Sequence, residues 1–195
     1  RILNIIPLTC FILIASCVDH DIEDGGCRSF NVPGTYTYPV TFQSDAWFDL
    51  RSLEEKVNAC QIPDNVLDSI STEALLETLL NYPLLNDFAA FDVMQRGFER
   101  IKSEQDGFGE LYGRSDLFDV VTDRYNKMSV HCNDTYPPFV NGTAVASIGF
   151  MCLEFMMFQD EFLNALNREQ QLQLFKAVSD KLQQKNTLPD QYKDF

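Results

Sequence analysis

Apolar residues recur at helical spacing along most of this chain, and each break in that spacing marks an element boundary. Residues 45–60 read as a first helix, with Trp47, Phe48, Leu50, Leu53 and Val57 set against Arg51, Glu54, Glu55 and Lys56. Pro63 suits the first turn of a short second helix, where its missing N–H costs nothing. Ser71 is a good N-cap with Glu73 in the following turn, opening a stripe of Leu75, Leu76, Leu79 and Leu80 that ends at Tyr82-Pro83. Leu84, Leu85, Phe88 and Phe91 lead into Met94, Phe98 and Ile101, with Gly97 beside them for a close helix approach. Gly107-Phe108-Gly109 predicts a break. Ser115 then caps a helix with Leu117, Val121, Tyr125 and Met128 on one face.

Residues 144–158 are the most apolar stretch past residue 17, interrupted by Ser147, Gly149 and Glu154, and a helix like that belongs in the middle of a bundle. Met151, Met156 and Met157 either fill gaps in its core or line an adaptable groove. Asn167 with Gln170 opens a last amphipathic helix, whose Leu172, Phe175, Val178 and Leu182 form one narrow stripe, and that helix is expected on the outside of the body. The expected fold is all-α: an irregular helical bundle or stacked helical hairpins of about six to eight helices, with a short extended N-terminal segment. The helical domain is expected over 45–184 and a polar, frayed tail over 185–195.

The extended segment shows in Tyr36, Tyr38, Val40 and Phe42, which alternate with Thr35, Thr37, Pro39 and Thr41; Pro39 limits it to an edge or an unpaired strand. Tyr36, Tyr38 and Trp47 either pin this segment to the helices or form a stacking platform for sugar rings.

Before it, residues 2–16 carry no charged side chain. A run of ~15 residues matches the apolar core of a signal peptide and falls short of the ~20 a spanning helix needs. The chain starts at Arg1, so a few more residues of basic leader are expected to precede it. Ile14-Ala15-Ser16-Cys17 resembles a lipobox, at which bacteria cleave a precursor and lipidate the new N-terminal cysteine. That resemblance implies a signal peptide over 1–16, Cys17 acylated by chains such as palmitate, and an acidic tether over 17–44. A buried N-terminal helix and a conventional cleavage near Ala15 are the competing readings. Asp19, Asp21, Glu23 and Asp24 resemble the export signal that sends lipoproteins of Bacteroidota to the cell surface, although Val18 and His20 interrupt it. The implied address is the outer membrane, facing outward, with the periplasmic face as the alternative.

Charge narrows the choice of partner. The 195 residues carry 15 basic and 29 acidic side chains, a formal charge of −14, which becomes −15 without Arg1. Such a chain repels phosphate backbones, and no cluster of Lys and Arg offsets that, so nucleic acid is excluded as a partner. The expected contacts are the lipid bilayer, through acylated Cys17, and a protein.

Cys60-Gln61-Ile62-Pro63, Ser71-Thr72-Glu73, Asn81-Tyr82-Pro83, Gly107-Phe108 and Glu110-Leu111-Tyr112 resemble a segment recurring in uncharacterised secreted proteins and lipoproteins of gut Bacteroidota. The resemblance covers roughly residues 60–128, about a third of the chain. It agrees with the lipoprotein reading and implies no activity, ligand or catalytic residue.

Little else points to chemistry. His131 is the one plausible general base, and a Cys–His pair needs the thiol of Cys60 or Cys152 brought to it. No pair of His or Cys has zinc-site spacing, so neither metal nor cofactor is expected. Glu154, alone in the most apolar helix, is expected to meet Arg96, Arg114 or Arg124, to point to the surface, or to serve as a perturbed acid in a cleft. Cys27, Cys60, Cys132 and Cys152 allow three disulfide connectivities, though Cys60 and Cys152 also suit burial as thiols. The N-x-T triplets at Asn133 and Asn141 are chance in a bacterial chain, while Asp68-Ser69-Ile70 resembles a Bacteroidota O-glycosylation acceptor at Ser69. The leading expectation is a surface-anchored, non-enzymatic interaction module. A small hydrolase using Glu154, another carboxylate or His131 is the alternative, and carbohydrate capture by Tyr36, Tyr38 and Trp47 is the weaker one.

Overall fold

The structure, a computed structural model, describes residues 31–130 and 145–188, with the side chains of 145–149 left aside. Ten α-helices and one 3₁₀ segment follow in order among the described residues. They are α1 (Asp45–Asp49), α2 (Leu53–Ala59), α3 (Asp64–Leu67), α4 (Thr72–Leu80), the 3₁₀ segment (Leu85–Ala90), α5 (Met94–Glu104), α6 (Asp106–Tyr112), α7 (Leu117–Lys127), α8 (Val145–Met157), α9 (Asp160–Ala165) and α10 (Arg168–Asn186). The described residues contain no strand, and the fold is all-α.

Local chemistry explains the boundaries. The single helix expected over 45–60 is two, because Ser52 accepts from the Glu55 N–H while Glu55 reaches back to the Ser52 N–H, a capping box that starts a new helix inside the run. Ser71 caps α4 through the Ala74 N–H, and Pro63 stands at the N-cap of α3. The expected cap at Ser115 lies one residue on, at Asp116, whose side chain makes no cap hydrogen bond; it accepts instead from the Thr72 hydroxyl at 2.7 Å, joining α7 to α4. The expected break at Gly107-Phe108-Gly109 is helical. The chain turns at Gln105, a fully buried side chain whose oxygen accepts from the Gly107 N–H and whose amide donates to the Cys60 carbonyl at 2.7 Å.

Glycine lets two pairs of elements meet closely. A Cβ on Gly97 would lie 2.5 Å from the Phe88 carbonyl oxygen, so α5 rests directly on the backbone of the 3₁₀ segment. One on Gly107 would lie 2.8 Å from Ile62 and 3.0 Å from Leu79, where α6 crosses α4.

One apolar cluster fills the interior. From α4 come Leu75, Leu76 and Leu79, from the middle of the chain Phe88, Phe98 and Phe108, and from α8 Phe150, Leu153, Met156 and Met157. The methionines of α8 therefore fill core, apart from half-buried Met151. Residues 32–42 lie along this body: Val32, Tyr36 and Val40 pack against the core, and the Tyr36 N–H donates to the Thr78 hydroxyl at 2.9 Å. Between α4 and α7, Arg124 donates to Glu77 where both side chains are buried. Burial pushes the Arg124 guanidinium pKa down while the Glu77 carboxylate holds it up.

Candidate functional site

α10 is the longest helix among the described residues, and only two of its nineteen residues are buried. Its start is fixed by a capping box in which Asn167 accepts from the Gln170 N–H at 3.0 Å and Gln170 returns the bond. Leu174, Val178, Lys181 and Lys185 stand four, three and four apart, which makes one row on the helix surface. That row faces the body. Leu174 is 6% exposed, Val178 is half-buried and Lys181 is also 6% exposed.

Two lysines on this row hold α10 in place. The Lys181 ammonium donates to the carbonyls of Asn126, at 3.0 Å, and Met128. These are carbonyls at the C-terminal end of α7, where a cation is favoured by the helix dipole. Burial, and then the neighbouring charge of Lys185, push the Lys181 pKa down. Lys185 donates at 2.6 Å to a Glu154 carboxylate oxygen that also accepts from the Tyr125 hydroxyl at 2.8 Å. The Lys185 ammonium also lies 4.9 Å from the centre of the Phe150 ring. Residue 185, expected in a frayed tail, thus ties α10 to α8.

With lysines turned inward, the apolar stripe turns out. Leu172 is 63% exposed, Phe175 74% and Leu182 57%. The helix lies on the outside of the body and its stripe faces away from it: of the four stripe residues only Val178 is partly covered. The physical reason is the long aliphatic stem of lysine, which packs like a hydrophobe while its head finds carbonyls or a carboxylate.

The expected arginine partners of Glu154 are also corrected. Arg124 is engaged with Glu77, Arg114 lies 2.9 Å from Glu110 and donates to the Leu67 carbonyl, and Glu154 meets Lys185 instead. The carboxylate is a clasp between α8 and α10. The sugar platform is not formed either. Tyr38 and Trp47 are buried, and the Tyr36 and Tyr38 rings meet edge to face at 83° rather than coplanar. Ser69 is exposed at the end of α3, its hydroxyl donating to the Asn65 carbonyl at 3.0 Å. Cys60 and Cys152 are buried free thiols, each with its pKa pushed up by burial. Cys17, Cys27, His131, Cys132, Asn133 and Asn141 lie outside the described residues. Among the described residues no group of His, Cys, Asp and Glu is placed to hold a metal ion, and no helix is long and apolar enough to cross a membrane.

A second surface feature is a cleft of about 310 Å³ between α5 and the α8–α9 joint, lined by Gln95, Glu99, Lys102, Phe158, Gln159 and Glu161 among others. Its polar groups are engaged with one another. The Gln159 oxygen accepts from Lys102 at 3.2 Å and Gln95 at 3.4 Å, and Lys102 donates to Glu161 at 2.8 Å. The hydrogen bond from Lys102 pulls the Glu161 pKa down. The sequence reading missed this cleft, since its residues come from segments some sixty positions apart and share no motif.

No protein-family model, curated protein or solved structure matches the chain.

Proposed function

We propose that this chain is an outer-membrane lipoprotein, acylated at Cys17 and exposed at the cell surface, whose helical body is a non-enzymatic interaction module. The observation that carries the docking part is the outward stripe of Leu172, Phe175 and Leu182 on a helix pinned from behind by Lys181 and Lys185. Large apolar side chains that serve their own fold sit inside it; a row of them held in water serves a contact elsewhere. The lipid reading draws its support from the apolar run ending at Ile14-Ala15-Ser16-Cys17 and the acidic residues after it.

Each part has its own test. Cys17→Ala should move the protein out of the membrane fraction and abolish acyl labelling; unchanged partition would remove the anchor from the account. The double variant Phe175→Glu with Leu182→Glu should melt within a few degrees of the parent, since substitutions on an exposed surface cost about 0.5 kcal/mol or less each. A loss of ten degrees or more would mean that the stripe belongs to the protein's own core and docks nothing.

A further inference from the structure

We infer that the occupant of the α10 stripe is a second copy of this chain, its α10 lying antiparallel across the first. The inference deepens the interaction reading above and rests on it. Arg168, Leu172, Phe175, Ser179, Leu182 and Asn186 are spaced four, three, four, three and four, the spacing of a helix–helix seam. Ser179 is half-buried and the other five are exposed.

A two-fold interface must be complementary to itself. Antiparallel pairing about residue 177 sets Leu172 opposite Leu182 of the second copy, and Phe175 opposite Ser179. Leucine meets leucine, and the largest side chain of the seam meets the smallest. At the ends, Arg168 faces Asn186 and the C-terminal carbonyls of the other α10, where a cation is favoured. Parallel pairing is worse on each count. It stacks Phe175 on Phe175 and Ser179 on Ser179, and brings Arg168 against Arg168.

Charge also selects this face for self-association. The chain as a whole carries −14, so most approaches of two copies bring carboxylates together. Lys181 and Lys185 are taken up by the body, and the remaining charges of α10, Arg168 and Lys176 against Glu169 and Asp180, cancel, so this face is locally neutral and its seam positions hold no carboxylate. The three exposed apolar side chains offer about 400 Å² per copy, near the largest apolar patch of an ordinary monomer, and about 800 Å² once doubled, below the roughly 1,200 Å² of a stable specific interface. The dimer is therefore a weak one, filled where copies are confined together on one bilayer.

The test uses the full chain in its own membranes, with the photoreactive p-benzoylphenylalanine in place of Phe175. Irradiation should give an adduct at twice the chain mass, joining position 175 to the neighbourhood of Ser179 in another copy, as mixed heavy- and light-isotope chains reveal. An adduct to a different protein overturns the second-copy assignment and leaves the docking face standing; no adduct at all overturns the assignment as well. Orientation has its own check in sedimentation of the purified full chain. Phe175→Glu should weaken self-association at least about thirtyfold. Arg168→Glu with Asn186→Lys should tighten an antiparallel pair severalfold, because each new charge meets its opposite, and should weaken a parallel one. Weakening by that double variant, or indifference to Phe175→Glu, sinks the proposal.

Discussion

α4 and α10 both begin at a side-chain cap and both show apolar residues at helical spacing, yet they end in opposite environments. α4 has nine residues, of which Thr72, Ala74, Leu75, Leu76, Glu77, Thr78 and Leu79 are buried. α10 has nineteen, of which only Leu174 and Lys181 are. In α4 each buried polar group has a partner from elsewhere in the fold: Thr72 donates to Asp116, Thr78 accepts from the Tyr36 N–H, and Glu77 meets Arg124. In α10 the partners lie on the inner row alone, and the apolar residues stand outside. Length and amphipathicity do not set how deeply a helix is buried. Partners for its polar groups do.

The largest effect expected from this contrast is at Glu77. Arg124→Met removes the guanidinium from a carboxylate that is 1% exposed, and breaking one side of a buried ion pair costs about 3–5 kcal/mol. Adding Glu77→Leu should recover most of the loss, since an apolar pair of similar volume carries no desolvation penalty. Urea unfolding of the two variants decides it. A single variant within about 1 kcal/mol of the parent would mean that the α4–α7 contact is held by its apolar residues and the ion pair is incidental.

Next in size is a pair of neighbours on α10. Leu174 is 6% exposed and Phe175 is 74% exposed, although the sequence alone ranks Phe175 as the better core residue. Leu174→Ala should cost about 2–3 kcal/mol, the lower part of the range for buried leucines. Phe175→Ala should stay within about 0.5 kcal/mol of the parent. Equal losses at the two positions would erase the difference between the inner and outer rows.

That pair also marks where the sequence stops being legible. Ser71, the Asn167–Gln170 capping box, Gly97 at its close approach and the central place of α8 all follow from residue chemistry within one turn, and the all-α class follows from the period. The capping box at Ser52–Glu55 was equally local, but an unbroken apolar stripe over 45–60 hid it. Gly107 and Gly109 carry no information on whether they end a helix or let another one come near; only Ile62 and Leu79, from far along the chain, decide that for Gly107. The exposed apolar stripe of α10 was legible as a row and not as a direction. Leu172, Phe175 and Leu182 make one helical row and Leu174, Val178, Lys181 and Lys185 make another. Choosing between them required knowing that the carbonyls of Asn126 and Met128 and the carboxylate of Glu154 lay within reach.

The smallest effect tests that inner row through pH. Lys181 is buried beside Lys185, and both influences favour its neutral form, so its folded-state pKa lies below the unfolded value of 10.5. The charged form therefore costs stability at neutral pH. Between the folded and unfolded pKa values the unfolded chain binds more protons, so this group's contribution rises with pH through that window. Lys185 and Tyr125 lie close by, both hydrogen-bonded to Glu154, so the parent is compared with a variant that keeps them. A Lys181→Met variant retains those groups and lacks only the one in question. Measured as a difference in melting temperature, the parent should gain on Lys181→Met as pH rises from 8 toward 10.5. A constant difference, or one that shrinks, would mean that the lysine head is solvated in the folded state and that α10 is held by Leu174 and the Glu154 clasp alone.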